Sequence, residues 1–177
     1  MGPHPARGVS AAEGLHKRRR LPPVRNAEAE RFVREVWAAF QREGIPGVLA
    51  LAAEDAYWAP HSAHARRFRT TAEYRAQVEQ LSDAGERVEA AGAGLWSHED
   101  VVVVRGRMRI RKGGGVVEDT RMYWLFGVRG EQLTWVASSP DLAGLLREVG
   151  RDDPVLAREA FIALHRDAGL SAASDAP

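Results

Sequence analysis

The apolar period of this chain changes at Gly85. Before it, apolar residues recur at helical spacing. After it, Arg87–Leu95, Val101–Arg111, Val116–Val128 and Leu133–Ser138 form four runs rich in β-branched and aromatic residues. Lys112-Gly113-Gly114-Gly115 and Arg129-Gly130-Glu131 separate the last three runs and are short enough to be hairpins, so these strands should be antiparallel neighbours. In the second run Val102, Val104, Gly106, Met108 and Ile110 share one face, and Arg105, Arg107, Arg109 and Arg111 share the other. For Met122, Trp124 and Phe126 to join the apolar side, the Lys112–Gly115 connection needs an odd length or a bulge.

Helices precede and follow the strands. Asn26 is a good N-cap for an amphipathic helix through Phe32, Val33, Val36, Trp37 and Phe40 to Gly44. Pro46 starts a short apolar helix, and Asp55–Pro60 reads as a brief strand. Thr70–Glu73 forms a capping box for a helix through Tyr74, Val78 and Leu81. After the strands, Ser139 and Pro140 cap a helix with Leu142, Leu145, Leu146 and Val149. A last helix starts at Asp153-Pro154 and carries Phe161, Leu164 and Ala168 on one face. Helices before a run of long antiparallel strands make an α+β order, in which helices cover one face of a strongly curved sheet and leave a cone with a pocket.

The 177 residues include no cysteine, which excludes disulfides, thiolate metal sites and a cysteine nucleophile. No apolar run approaches the roughly 20 residues that span a bilayer, so a soluble, cytoplasmic chain without membrane contact is expected. Charge is uneven. Up to Asn26 there are six basic residues and one acid, four prolines and no aromatic residue, which reads as a disordered basic tail over residues 1–25. Beyond it 19 basic face 23 acidic residues. The Lys17–Arg20 run suits nucleic acid or an anionic membrane, but a solvated tail explains it as well. The expected organisation is therefore the tail, a domain over residues 26–150, and a C-terminal helix with a short tail over residues 151–177.

From Asn26 to Gly150 the chain resembles the SnoaL-like branch of the nuclear transport factor 2-like superfamily. The resemblance lies in the Phe32–Phe40 helix, Leu49–Asp55 running into Tyr57-Trp58, Pro60-His61 with Phe68-Arg69, and Glu86–Glu89. Tyr123–Phe126 and Ser139–Leu142 complete it. It implies a cone-shaped curved antiparallel sheet covered by N-terminal helices. It also implies either a pocket, catalytic or merely binding, or a module that only dimerises. Enzymes of this kind mostly use a carboxylate inside the cone, and where isomerase-like members hold one this chain has Ala59-Pro60-His61-Ser62-Ala63-His64.

His61 is then the leading candidate for proton transfer, because imidazole titrates near neutral pH; a loop histidine bonded to backbone is the alternative. His61, His64 and His98 lack the carboxylate or cysteine partners of a metal site, so no metal is expected. No glycine loop opens a helix to cradle phosphate, so no dissociable cofactor is expected either. Trp37, Trp58, His61, Phe68, Met108 and Trp124 are the expected lining of a pocket for a modest apolar ligand, and any chemistry should be proton transfer, hydration or dehydration. The arginine stripe faces Glu118 and Asp119 across the next hairpin, and such pairs explain it without nucleic acid. The same outer face carries Val101, Val103, Tyr123 and Leu125, too apolar to face water; a homodimer would cover them unless the last helix folds back. Two functions stay open: a small-molecule pocket protein and a noncatalytic module whose cone its own tryptophans fill. An open pocket of at least roughly 300 Å³ with His61 on its wall marks the first.

Overall fold

The computed structural model describes residues 26–63 and 66–166, so the tail before Asn26 lies outside the described residues, as do His64 and Ala168. Two helices open the fold, α1 (Ala27–Glu43) and α2 (Ile45–Leu49). The Asn26 side chain accepts from the Ala29 amide at 3.0 Å and Gly44 ends α1 at φ 68°. Strand β1 (Ala52–Ala59) leads through a 3₁₀ turn at His61–Ala63 into α3 (Thr71–Asp83), where Thr70 caps the Glu73 amide. Strands β2 (Glu86–His98), β3 (Val101–Lys112), β4 (Gly115–Arg129) and β5 (Gln132–Ser139) follow, then α4 (Leu142–Glu148) and α5 (Pro154–Arg166).

The five strands form one sheet in the order β1-β5-β4-β3-β2. The neighbours β2 to β5 are antiparallel, as the hairpin signals require, but β1 runs parallel to β5, so the sheet is mixed. A parallel partner needs a long crossover, and here three strands and α3 supply it. β1 also begins before Asp55, in a stretch whose alanines carry little strand signal. The β3–β4 turn has Gly113 at φ 58° and Gly114 at φ 84°, a conformation that favours glycine at both central positions. A register shift between Ile110 and Arg111 then brings Met108 and Ile110 to the same side as Met122.

Two apolar layers sandwich the sheet. On the concave side Phe32, Val33, Val36 and Trp37 of α1 pack with Trp58, Val102, Val104 and Phe126. On the convex side Leu142, Leu145 and Leu146 of α4 and Ala160 and Leu164 of α5 bury Trp96, Val101, Val103 and Leu125. The expected cover by a second subunit is thus corrected: the chain's own C-terminal helices fold back over this face, and Val103 and Leu125 are fully buried without a partner. Two smaller expectations also change. Asp141, not Ser139, is the N-cap of α4, with Ser139 accepting from the Asp141 amide. Phe161 points out to solvent, since Ala160 and Leu164 form the buried face of α5. Among the described residues no helix is long and apolar enough to cross a membrane.

Candidate functional site

Strand alternation decides which side chains reach the inside of the cone. Val102, Val104, Met108 and Ile110 stand opposite Phe126, Trp124, Thr120 and Glu118 in register, so Glu118 lies on the inner face, and Asp119 on the outer. α1 adds Val36, Trp37 and Phe40 from above. Trp37 meets Trp124 edge-on with ring centroids 5.1 Å apart. Between them is a cavity of about 70 Å³ walled chiefly by Val36, Trp37, Trp58, Met108, Trp124 and Val136. That is room for about two water molecules or a group of similar size.

Three hydroxyls edge this apolar space: Ser62, Tyr74 and Ser138. Tyr74 is 5% exposed, stacked on Trp58 at 4.7 Å, and hydrogen-bonded to Ser62; burial holds its hydroxyl well above the usual tyrosine range, which the Ser62 bond offsets only in part. The Ser138 hydroxyl accepts from the His61 amide at 2.8 Å, leaving its own proton to donate. Deeper down, the Trp58 indole N–H donates to Thr71 Oγ1 at 3.2 Å, which donates to the Ala53 carbonyl at 2.6 Å. This buried chain is closed and fixes the Trp58 wall.

Of the six side chains expected to line a pocket, the structure brings Trp37, Trp58, Met108 and Trp124 to one cavity; Phe68 and His61 are not among its walls. Phe68 bridges to Trp58 through a pair of 2.9 Å backbone hydrogen bonds and packs on Tyr74 with ring centroids 5.3 Å apart. His61 stands at the rim between two residues that do line the cavity, Pro60 and Ser62. Its Nε2 lies 3.0 Å from Glu118 Oε1, with each side chain about one-third exposed. It also borders a separate groove of about 290 Å³ on the α4 side, with Arg67, Ser139 and Glu148. The carboxylate that could orient His61 is therefore Glu118, which sequence reasoning had assigned to the arginine stripe. Even spacing from Met122, Trp124 and Phe126 was the signal that places it inside. Tyr74, Ser62 and Ser138 had no comparable signal, since helix, loop and strand meet there only in three dimensions.

No family model matches the chain, and no curated protein does. Solved structures do. An NTF2-like protein of unknown function from Burkholderia pseudomallei superposes with a TM-score of 0.55 at 20% identity, over 69% of this chain and 97% of that one. The fold is NTF2-like. A putative polyketide cyclase from Xanthomonas campestris pv. campestris has the same NTF2-like arrangement, with a TM-score of 0.54 at 18% identity over 69% of this chain and 96% of its own. An LEH-like epoxide hydrolase from M. tuberculosis gives 0.54 at 16% identity over 79% and 91%. At these identities the likeness carries the fold, and function has to be argued from the site.

Proposed function

We propose that this chain is a small-molecule pocket protein whose cone takes a compact apolar group and whose rim carries a proton-transfer pair, His61 and Glu118. The observation that carries the reading is the 3.0 Å contact between His61 Nε2 and Glu118 Oε1 beside an aromatic cavity. A carboxylate on one imidazole nitrogen selects the tautomer with its proton there and leaves Nδ1 as the basic lone pair, and it stabilises the imidazolium once formed. A substrate with its apolar end among Trp37, Trp58 and Trp124 would present its polar end to the Ser62 and Ser138 hydroxyls and to His61. The chemistry that fits is proton transfer, hydration or dehydration of a small organic molecule. Structural neighbours named as a putative polyketide cyclase and an epoxide hydrolase support a small-molecule role for such a cone.

The test begins with a thermal-shift screen of small alcohols, ketones and epoxides, since a ligand specific for the folded state raises the melting temperature by mass action. Three tryptophans in the wall make their fluorescence a second readout. Ala90 also lines the cavity, so Ala90→Leu should fill it and abolish the shift. Two observations favour a second reading, a noncatalytic module with a filled cone: the free space falls well short of a typical ligand pocket, and His61 is not on the cavity wall. A screen in which no compound shifts the melting temperature or perturbs tryptophan fluorescence decides for the module.

A further inference from the structure

The arginine stripe is less neutralised than the sequence suggests. Glu118 is on the inner face with His61 and leaves the stripe altogether. On the convex face past the end of α5 stand Arg107, Arg109 and Arg111 of β3, with Arg87 of β2 opposite Arg111 and Arg121 of β4 opposite Arg107. All five side chains face the same way. Two acids accompany them: Asp119 is shared by Arg107 and Arg109, and Glu89 pairs with Arg111 at 2.7 Å. Arg87 and Arg121 are exposed and make no ion pair among the described residues. A surplus of positive charge is thus concentrated here although the chain beyond Asn26 is net acidic. Arg105 does not belong to the surplus, because its Nε donates to the Leu164 carbonyl at 2.8 Å and fixes the end of α5.

We propose that this face binds single-stranded nucleic acid through its phosphates. Alternate residues of β3 repeat every ~7 Å along the strand, a spacing of the same order as successive phosphates in an extended chain. The guanidinium fork pairs with phosphate in a bidentate manner, and the patch contains arginine alone as its cation. Its width, two inter-strand spacings or ~10 Å, suits one phosphodiester strand rather than a duplex. Tyr123, half-buried at the α5 end opposite Arg105, offers an aromatic edge on which a base can stack. Asp119 and Glu89 remain beneath the bound strand, each already paired. An acidic protein segment meets the same charge, but it lacks the bidentate phosphate geometry and the stacking base.

The experiment is fluorescence anisotropy of a labelled oligothymidine about 20 nucleotides long with the full chain. Binding is expected at about 50 mM salt, with log K falling linearly in log salt at a slope of about −0.7 per phosphate neutralised. The double variant R87S/R121S leaves the Asp119 and Glu89 pairs intact. It should keep the melting temperature, weaken binding at least about tenfold, and reduce the slope by about 1.4. A second variant, K17S/R18S/R19S/R20S, separates the face from the basic N-terminal run and should retain the sensitivity to R87S/R121S. The proposal is overturned if oligothymidine fails to bind, if R87S/R121S binds as tightly as the parent, or if polyglutamate of equal charge displaces the oligonucleotide.

Discussion

At the scale of single residues, the His61–Glu118 pair gives the sharpest expectations. With a substrate in hand, His61→Ala should abolish a pH-dependent rate, whereas Glu118→Gln, which keeps size but loses the charge that stabilises an imidazolium, should lower kcat by more than it changes KM. Steady-state kinetics of the two variants checks this; unchanged kcat in both removes the pair from the chemistry. Tyr74 makes a separate prediction. Its ionisation is raised in the folded state, so the stability it contributes is complete below the ordinary tyrosine range near 10 and is lost as pH rises through the higher folded value. Alkaline unfolding should therefore release a tyrosinate signal at 295 nm that Tyr74→Phe lacks, and that variant should resist alkali better than the parent. If Tyr74 ionises before unfolding, its hydroxyl is not sealed behind Ser62. Glu118 also shows where legibility ended: consecutive residues of a strand point to opposite faces, so Glu118 and Asp119 could never have served the arginines together. Parity along β4 held that information, whereas the Ser62, Tyr74 and Ser138 cluster joins residues up to 76 positions apart with no periodicity to announce it.

Among the elements, the long strands were the most legible because a buried face fixes register, and a one-residue slip would expose every inward side chain. β1 was the least legible, since Ala52–Asp55 offers neither branching nor alternation, and its pairing with β5 holds at Ala52 and again from Tyr57 to Ala59, with a register shift between. Gly106 marks the tightest point in the sheet: a Cβ there would lie 2.0 Å from the Ala91 carbonyl oxygen, where the β2–β3 register shifts. Backbone cannot yield cheaply, so Gly106→Ala should lower the urea midpoint by an amount corresponding to roughly 2 kcal/mol or more. Denaturation at unchanged m-value checks this. On the outer face Arg107, and then Arg109, hold the Asp119 carboxyl below the usual range. The linked stability is present above the ordinary aspartate range and lost as pH falls through the lowered value. Being exposed, the pair should contribute little, and the melting-temperature difference between Asp119→Asn and the parent should vanish in about 1 M salt.

For the whole molecule, the decisive feature is that the convex face needs a cover and the chain brings one. Trp96, Val101, Val103 and Leu125 form an apolar patch that water alone would not tolerate. α4 and α5 close it with Leu142, Leu145, Leu146, Ala160 and Leu164, while Arg105 holds the last turn of α5, and Arg151 clamps its approach to Glu99 and Asp100 at 2.6 and 3.1 Å. Because the patch is already dry, association through it would first require α5 to leave. The full chain should therefore not associate through this face, and its sedimenting mass at micromolar concentration is the value against which a variant is compared. Leu164 is fully buried at the centre of this contact, and placing a carboxylate there leaves an unpaired charge among apolar side chains. In Leu164→Asp the helix should detach while the cone persists, because the concave core uses none of α5. The exposed patch should then find the nearest self-complementary surface, its copy on a second chain. Sedimentation of Leu164→Asp should shift toward the dimer mass with far-ultraviolet dichroism showing the sheet retained; a monomer with that sheet intact would mean that α4 alone keeps the face dry.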